Sequence, residues 1–142
     1  MQQGESSSRY LVGIDLGTTN SALAYIDLHR KGGRPEIQTF AMPQLVAPGE
    51  MGNRPLLPSF LYLPGPHDLP AGSIALPWDA KRDYAVGEFA RNHGARIPGR
   101  LVTSAKSWLC HAGVDRSAPL LPFHAPPDVP RISPVEASTS PR

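Results

Sequence analysis

The clearest pattern of hydrophobic and polar positions lies near the start of the chain, in two apolar runs separated by a short polar turn. Successive side chains of a β-strand point to opposite faces, so Val12 and Ile14 share one face of the first run. The apolar character then resumes beyond the turn and continues for about the same length. Two such runs predict an antiparallel hairpin with strands over residues 11–15 and 20–27.

Weaker patterns further along the chain predict more strands and two helices. Residues 36–41 alternate well enough for a third strand, and the string RPLLPSFLYL carries a short strand after Pro58. Residues 84–87 predict another short strand that leads into a helix over residues 87–96. Apolar positions at helical spacing predict a second helix over residues 103–111, with Thr or Ser as its cap. Some segments thus repeat their apolar positions every second residue and others at helical spacing, and this combination predicts a mixed α/β unit.

Proline and glycine limit the length of every regular element. The 142 residues include 17 Pro and 13 Gly, about one residue in five, and residues 42–57 contain enough of them to exclude a helix. We expect one partial domain over residues 10–114, with a Pro-rich loop over residues 64–77. The domain is predicted to lie between a disordered lead, residues 1–9, and a Pro-rich, disordered tail, residues 115–142.

Charge and hydropathy exclude two broad classes of partner. The net charge is only +2 and the basic residues are scattered, so nothing favours nucleic-acid binding. The apolar runs are too short to span a bilayer, and the first nine residues lack the apolar centre of a secretory signal. The single cysteine, Cys110, rules out a disulfide within the chain and suits a cytoplasmic location.

The turn between the two predicted strands carries the most distinctive chemistry. Gly17 is a natural site for a backbone angle that other residues resist, and Thr18, Thr19 and Asn20 add hydrogen-bonding side chains. Successive backbone N–H groups in such a turn form a concavity that binds phosphate, and Asp15 beside it is suited to hold a hydrated cation. On composition alone, an ordinary hairpin turn remains the commoner explanation.

The string GIDLGTTNS resembles the first phosphate loop of the actin-like ATPase superfamily, and its Asn-Ser continuation is most similar to the 70-kDa heat-shock chaperones. Pro58 and Ser59 extend that resemblance. It implies an α/β fold, a partial actin-like ATPase (ribonuclease H-like) lobe I with a β-hairpin phosphate loop. Against the family pattern, residues 64–77 are a Pro-rich insertion.

The resemblance also implies roles for individual residues and the cofactors ATP/ADP and Mg²⁺. Asp15 would hold hydrated magnesium, Gly17, Thr18 and Thr19 would bind the β- and γ-phosphates, and Asn20 would lie at the edge of the loop. The string VTSAKSWLC is similar to the segment in which the chaperones carry a catalytic lysine. Lys106 would therefore position the attacking water and stabilise charge on the transferring phosphoryl group, although Ser107 follows it where the family generally has arginine.

The resemblance runs from about residue 10 to residue 111 and resumes at the string RISPVEAS, which is similar to the approach to the family's next helix. We expect the chain to stop where that helix should start. The second phosphate loop, the adenosine-binding motif, the second lobe and the peptide-binding domain have no counterpart in these residues. A lone wall of the nucleotide cleft cannot exclude water, so the chain by itself is expected to be inactive as an ATPase.

Three functions remain open from the sequence. The first is an ATP-hydrolysing molecular chaperone, represented by an N-terminal fragment, whose family partners are unfolded client proteins and cochaperones. The second is a non-catalytic remnant that serves as an interaction module. A sugar kinase or actin-like filament relative is the third, and the Asn20-Ser21 pair and the Lys106 segment both count against it.

Overall fold

The computed structural model describes residues 8–139 as a mixed α/β unit of small antiparallel sheets and short helices. Residues 1–7, most of the predicted disordered lead, lie outside the described residues. The strands are β1 (Tyr10–Leu16), β2 (Asn20–Asp27), β3 (Gln38–Thr39), β4 (Met42–Ala47), β5 (Glu50–Arg54), β6 (Leu57–Pro58), β7 (Phe60–Tyr62), β8 (Ala85–Val86) and β9 (Leu101–Thr103). The helices are α1 (Glu88–Gly94), α2 (Ala105–Leu109) and α3 (Pro134–Thr139), with a 3₁₀ turn at Pro98–Arg100.

The predicted hairpin is confirmed and leads the first sheet. β1 and β2 pair antiparallel along their whole length, with Val12 opposite Tyr25 and Ile14 opposite Leu23. The other edge of β2 pairs with β3 near its end and with β6 near its start. The predicted third strand is therefore present, but it is shorter than the expected residues 36–41.

A second hairpin, β4–β5, lies in the stretch where the sequence predicted only the absence of a helix. Its strands pair from Met42 opposite Arg54 to Ala47 opposite Glu50, with an irregularity between Leu45 and Ala47. Gly49 forms the turn with a φ of 71°, a left-handed conformation that glycine adopts without a steric penalty. The prolines of this stretch end the strands early but do not prevent pairing.

The third sheet and the helix beside it contribute six of the thirteen buried hydrophobic residues among residues 8–139. β7 is the central strand and pairs with β8 on one side and β9 on the other. Leu61 and Tyr62 of β7 are buried, as are Phe89 and Ala90 of α1. The predicted helix over residues 87–96 is confirmed in the shorter form of α1, which places these apolar side chains against the sheet.

Gln44 joins the second hairpin to this core. Its buried side-chain oxygen accepts a hydrogen bond from the Glu88 N–H at 2.8 Å, and its amide nitrogen donates to the Leu56 carbonyl at 2.9 Å. The Glu88 N–H is one of the helix N-terminal donors that have no partner within the helix itself. The Gln44 side chain of β4 thus caps α1 and holds that helix beside the sheet.

The prediction of a disordered tail is wrong for residues 115–139. Leu121 and Ile132 are buried, form an isolated β-bridge with each other, and pack in one cluster with Leu61 and Val102 of the third sheet. The proline-rich composition interrupts regular structure without preventing burial of the apolar residues between the prolines. This segment is part of the domain.

A short helix, α3, begins at Pro134, inside the string RISPVEAS that was expected only to lead up to a helix. Ser133 and Glu136 form a reciprocal cap, in which the Ser133 N–H donates to the Glu136 carboxylate at 2.8 Å and the Glu136 N–H donates to Ser133 Oγ at 3.1 Å. The order Ser133, Pro134 at the first helical position and Glu136 three residues after the serine is that of a capping box. The string therefore forms a helix itself.

The Pro-rich loop is attached to the core by the buried side chains of Ile74 and Leu76 and by the carboxylate of Asp68. Asp68 Oδ2 accepts hydrogen bonds from Tyr62 Oη at 2.9 Å and from the Gly65 N–H at 2.7 Å, and it lies 3.4 Å from Arg100 Nε. The Gly65 N–H, assisted by Tyr62 and Arg100, holds the pKa of Asp68 below its ordinary value despite partial burial. Burial and the neighbouring Asp68 raise the pKa of Tyr62.

None of the helices formed between residues 8 and 139 is long and apolar enough to cross a bilayer.

Replacing Leu121 with Ala tests whether residues 115–139 belong to the core. We expect Leu121→Ala to lower the free energy of unfolding by about 2–5 kcal/mol, because it leaves a cavity at a buried position. Leu28→Ala, at a half-exposed position, is the control and should change stability far less. Urea unfolding followed by circular dichroism measures the free energy of unfolding of both variants. Equally small losses for the two would show that residues 115–139 do not pack against the core.

The lowered pKa of Asp68 predicts a pH dependence of stability. A carboxyl whose pKa is lower in the folded protein stabilises it above the unfolded pKa of about 4, and that contribution is lost as the pH falls through the folded value. Asp68→Asn should therefore lower the melting temperature at pH 7 and reduce its dependence on pH below about 4. Asp128→Asn, which removes an exposed partner of Arg100, is the control. If the melting temperatures of the unaltered protein, Asp68→Asn and Asp128→Asn change with pH in the same way, Asp68 does not stabilise the fold through its lowered pKa.

Candidate functional site

The turn between β1 and β2 is tied to the core by hydrogen bonds to its own backbone. The Gly17 N–H donates to the Asn20 carbonyl at 3.0 Å, which closes the turn. The Ser59 N–H donates to the Thr19 carbonyl at 2.8 Å, and Ser59 Oγ donates to the Gly17 carbonyl at 2.9 Å. Because Ser59 directly precedes β7, these bonds connect the exposed hairpin to the buried sheet.

Gly17 is required for a reason different from the one we predicted. Its φ lies outside the left-handed region, so an unusual backbone angle does not explain the glycine. Instead, a Cβ at this position would collide with the Asn20 carbonyl oxygen. Close approach of two backbone segments within the turn is what excludes a larger residue.

Two of the three predicted backbone donors of this turn are available to a ligand. The Gly17 N–H is already bonded to Asn20, whereas the Thr18 and Thr19 N–H groups have no partner anywhere in residues 8–139. Both threonines are exposed. The turn therefore presents a pair of adjacent N–H donors and two hydroxyls to solvent, which suits an anion such as phosphate.

A cavity of about 800 Å³ brings this turn and Lys106 together. Leu16, Gly17 and Ser59 line one part of its wall, and Lys106 with neighbouring residues of α2 lines another. A ligand of nucleotide size requires a cleft of roughly 300–1,000 Å³. Two segments that are far apart in sequence, and that the resemblance links through phosphate chemistry, thus face one space.

The remaining predicted site residues lie outside the cavity wall. Asp15, Thr18, Thr19 and Asn20 do not line it. Asp15 is exposed near the end of β1, opposite Ala22 of β2, while Asn20 contributes its carbonyl to the closing bond of the turn. The structure therefore places these residues beside the cavity, at the hairpin end of it.

Lys106 is exposed on α2, which is shorter than the predicted helix over residues 103–111. It forms no ion pair with any carboxylate of the described chain. Ser104 precedes the helix in the left-handed conformation with a φ of 52° and makes no side-chain cap, so the predicted capping role is wrong. A non-glycine residue in this conformation raises the free energy of the folded state by about 1 kcal/mol or more. At Ser104 this conformation turns the chain from β9 into α2.

The described residues hold no ready-made metal cage. Among residues 8–139 no group of three or more His, Cys, Asp or Glu side chains is placed to enclose a metal. Asp15, the carboxylate to which the resemblance gives a metal role, is exposed near the end of β1.

Sequence reasoning missed several cavity residues. Trp78 and Arg82 follow the Pro-rich loop, and Ser138 lies in α3. Trp78 is 62% exposed, so its large ring is not packed in the core. Only the capping-box sequence before α3 signalled that the C-terminal segment is ordered, and no local pattern signalled that it reaches this cavity.

Comparison with known proteins adds no relative: no protein-family model, curated protein or solved structure matches the chain.

Adding one methyl group at Gly17 tests the close approach in the turn. Gly17→Ala should lower the free energy of unfolding by about 1–3 kcal/mol, because the new Cβ collides with the Asn20 carbonyl and must displace it. Gly13→Ala in the middle of β1 is a matched control, since a Cβ there meets nothing within 4 Å. Chemical unfolding of both variants should separate them, and equal stabilities would refute this account of the turn.

Proposed function

We propose that these residues form part of the nucleotide-binding domain, most of lobe I, of an ATP-binding and ATP-hydrolysing molecular chaperone of the 70-kDa heat-shock type. The observation that supports this proposal most directly is the shared cavity, whose wall includes both Gly17 of the turn and Lys106 of α2. The string GIDLGTTNS supplies the first of these and VTSAKSWLC the second.

In this proposal the turn binds the phosphates. The Thr18 and Thr19 N–H groups have no partner in the described chain, so a phosphate oxygen would not have to displace an internal hydrogen bond. Asp15 would hold magnesium through water. The magnesium, when bound, neutralises charge on the phosphates and orients them for attack.

Lys106 would act on the transferring phosphoryl group by electrostatics. It is a cation without a carboxylate partner in the described residues, so its charge is not already neutralised by the protein. Phosphoryl transfer depends mainly on positioning and on stabilisation of charge that develops in the transition state. The family partners, unfolded client proteins and cochaperones, and a cytoplasmic location are part of the same proposal.

The exposure of β1 favours a second candidate, a non-catalytic interaction module. All seven residues of β1 are exposed, including Leu11 at 60% and Ile14 at 63%, and in residues 8–139 the strand pairs only with β2. A long apolar strand with a free edge is a template for pairing with another strand. Such a surface suits either a missing part of the same domain or a separate protein partner.

The two candidates differ in what Lys106→Ala does in a complete protein. We suggest grafting residues 1–142 onto the missing lobes of a 70-kDa chaperone, because ATP must be enclosed from both sides for hydrolysis. Lys106→Ala should lower the single-turnover hydrolysis rate on the order of 100-fold while nucleotide affinity changes little, as expected for an interaction made mainly in the transition state. Replacing Thr18 and Thr19 should weaken binding and hydrolysis together.

Lys81→Ala is the control for this graft, because Lys81 is an exposed lysine that does not line the cavity. It should hydrolyse ATP at the rate of the unaltered graft. If Lys106→Ala also does so, Lys106 is a surface charge and the interaction module becomes the better proposal.

A further inference from the structure

The cavity contains a second cation that the resemblance does not assign. The charged residues on its wall are Asp79, Arg82 and Lys106, and the rest of the lining is mostly apolar. Arg82 lies five residues beyond the Pro-rich loop, residues 64–77, and the resemblance gives it no role. Its presence gives the wall two positive charges and one negative charge.

Arg82 is held in place by contacts that do not neutralise it. Its Nε donates to the Tyr84 carbonyl at 2.8 Å, and its guanidinium carbon lies 4.4 Å from the centre of the Tyr84 ring. Both contacts restrict the planar head group, one by a hydrogen bond and the other by stacking. Neither contact brings a full negative charge to the guanidinium.

The remaining donors of Arg82 have no partner in residues 8–139. Arginine has five N–H donors, and only Nε makes a hydrogen bond here, so the four donors on the two terminal nitrogens remain. No carboxylate of the described chain lies within ion-pair distance of Arg82, including Asp79, which lines the same cavity. Arg9, Arg30, Arg54 and Arg100, by contrast, each pair with a carboxylate.

Because Arg82 is partly buried, leaving its charge without a partner is unfavourable for the free energy of the folded protein. Burial is the main influence on the pKa of Arg82 and lowers it, with Tyr84 and Asp79 acting in the opposite direction. A buried charge is usually paired, because desolvation penalises it otherwise. An anion bound in the cavity would supply the missing partner, and the flat fork of an arginine matches two oxygens of one phosphate group.

We propose that Arg82 is a phosphate-binding residue of this cavity and that it binds the polyphosphate chain of a nucleotide in the ground state, whereas Lys106 acts mainly in the transition state. This inference rests on the proposed function and extends it to a residue to which the resemblance gives no role. Arg82, Lys106 and Gly17 of the turn all line this one cavity. The ligand class is a polyphosphate anion, with or without an attached nucleoside.

Calorimetry on the full 142-residue chain at low salt tests this proposal, with inorganic tripolyphosphate and ATP as probes. Arg82→Gln should weaken tripolyphosphate binding about tenfold or more, the scale of a lost charge-assisted hydrogen-bonded pair. Arg96→Gln is the matched control, because Arg96 is exposed and does not line the cavity. Unchanged affinity of Arg82→Gln for tripolyphosphate would overturn the proposal.

The two probes separate this proposal from the proposed function. If Arg82→Gln weakens tripolyphosphate binding but the chain shows no preference for ATP over tripolyphosphate and the graft shows no ATPase activity, the anion site stands and the chaperone function fails. If replacing Thr18 and Thr19 weakens ATP binding whereas Arg82→Gln does not, Arg82 is structural and the function stands. If the unaltered chain does not bind tripolyphosphate, the role of Arg82 is refuted, while the graft still decides the function.

Melting curves establish that each variant is folded before binding is measured. If Arg82→Gln does not fold, Arg82→Lys replaces it, since lysine keeps the charge and loses the planar fork. Its tripolyphosphate affinity should fall severalfold at an unchanged melting temperature, and parent-like affinity would overturn the proposal.

Discussion

The attachment of the β1–β2 hairpin to the rest of the molecule depends on Ser59. Its N–H and hydroxyl bind two carbonyls of the turn, and the neighbouring Leu57–Pro58 strand pairs with the start of β2. The next residues form β7, the central strand of the buried sheet. A hairpin whose first strand is exposed on both faces has little hydrophobic burial to hold it, so these backbone bonds determine where the turn lies relative to the core.

The same attachment explains why the cavity forms where it does. It opens where the lightly packed hairpin meets the well-packed third sheet, and six separate stretches of the chain line it. Polar groups that make no bond within the described chain collect on this side: the two threonine N–H groups, Lys106 and the terminal nitrogens of Arg82. Unpaired donors and cations near an apolar cavity are unfavourable for stability alone, and they are the usual properties of an anion-binding site.

The C-terminal segment changes how this cavity is enclosed. Leu121 and Ile132 anchor the segment on the third sheet, and the Ser133–Glu136 cap starts α3 directly afterwards. The last described residues of that helix then form part of the cavity wall. Burial of a few apolar residues between prolines is enough to order a segment whose average composition is that of a disordered chain, because composition does not show which residues are adjacent in space.

The sequence by itself determined the elements whose signal is local. Alternation predicted β1 and β2, and helical spacing predicted α1. Only the tertiary structure decided the rest, because most of the decisive contacts join residues distant in the chain. They include the burial of Leu121 against Leu61, sixty residues earlier, and the presence of Arg82 and Lys106 on the wall of one cavity. Within the turn, the Asn20 carbonyl excludes a side chain at Gly17 only once the turn is closed. The spacing of apolar residues and the residue types of a turn can be recognised within a few consecutive positions. Whether a residue is buried or a charge lacks a partner depends on which residues surround it in the folded protein.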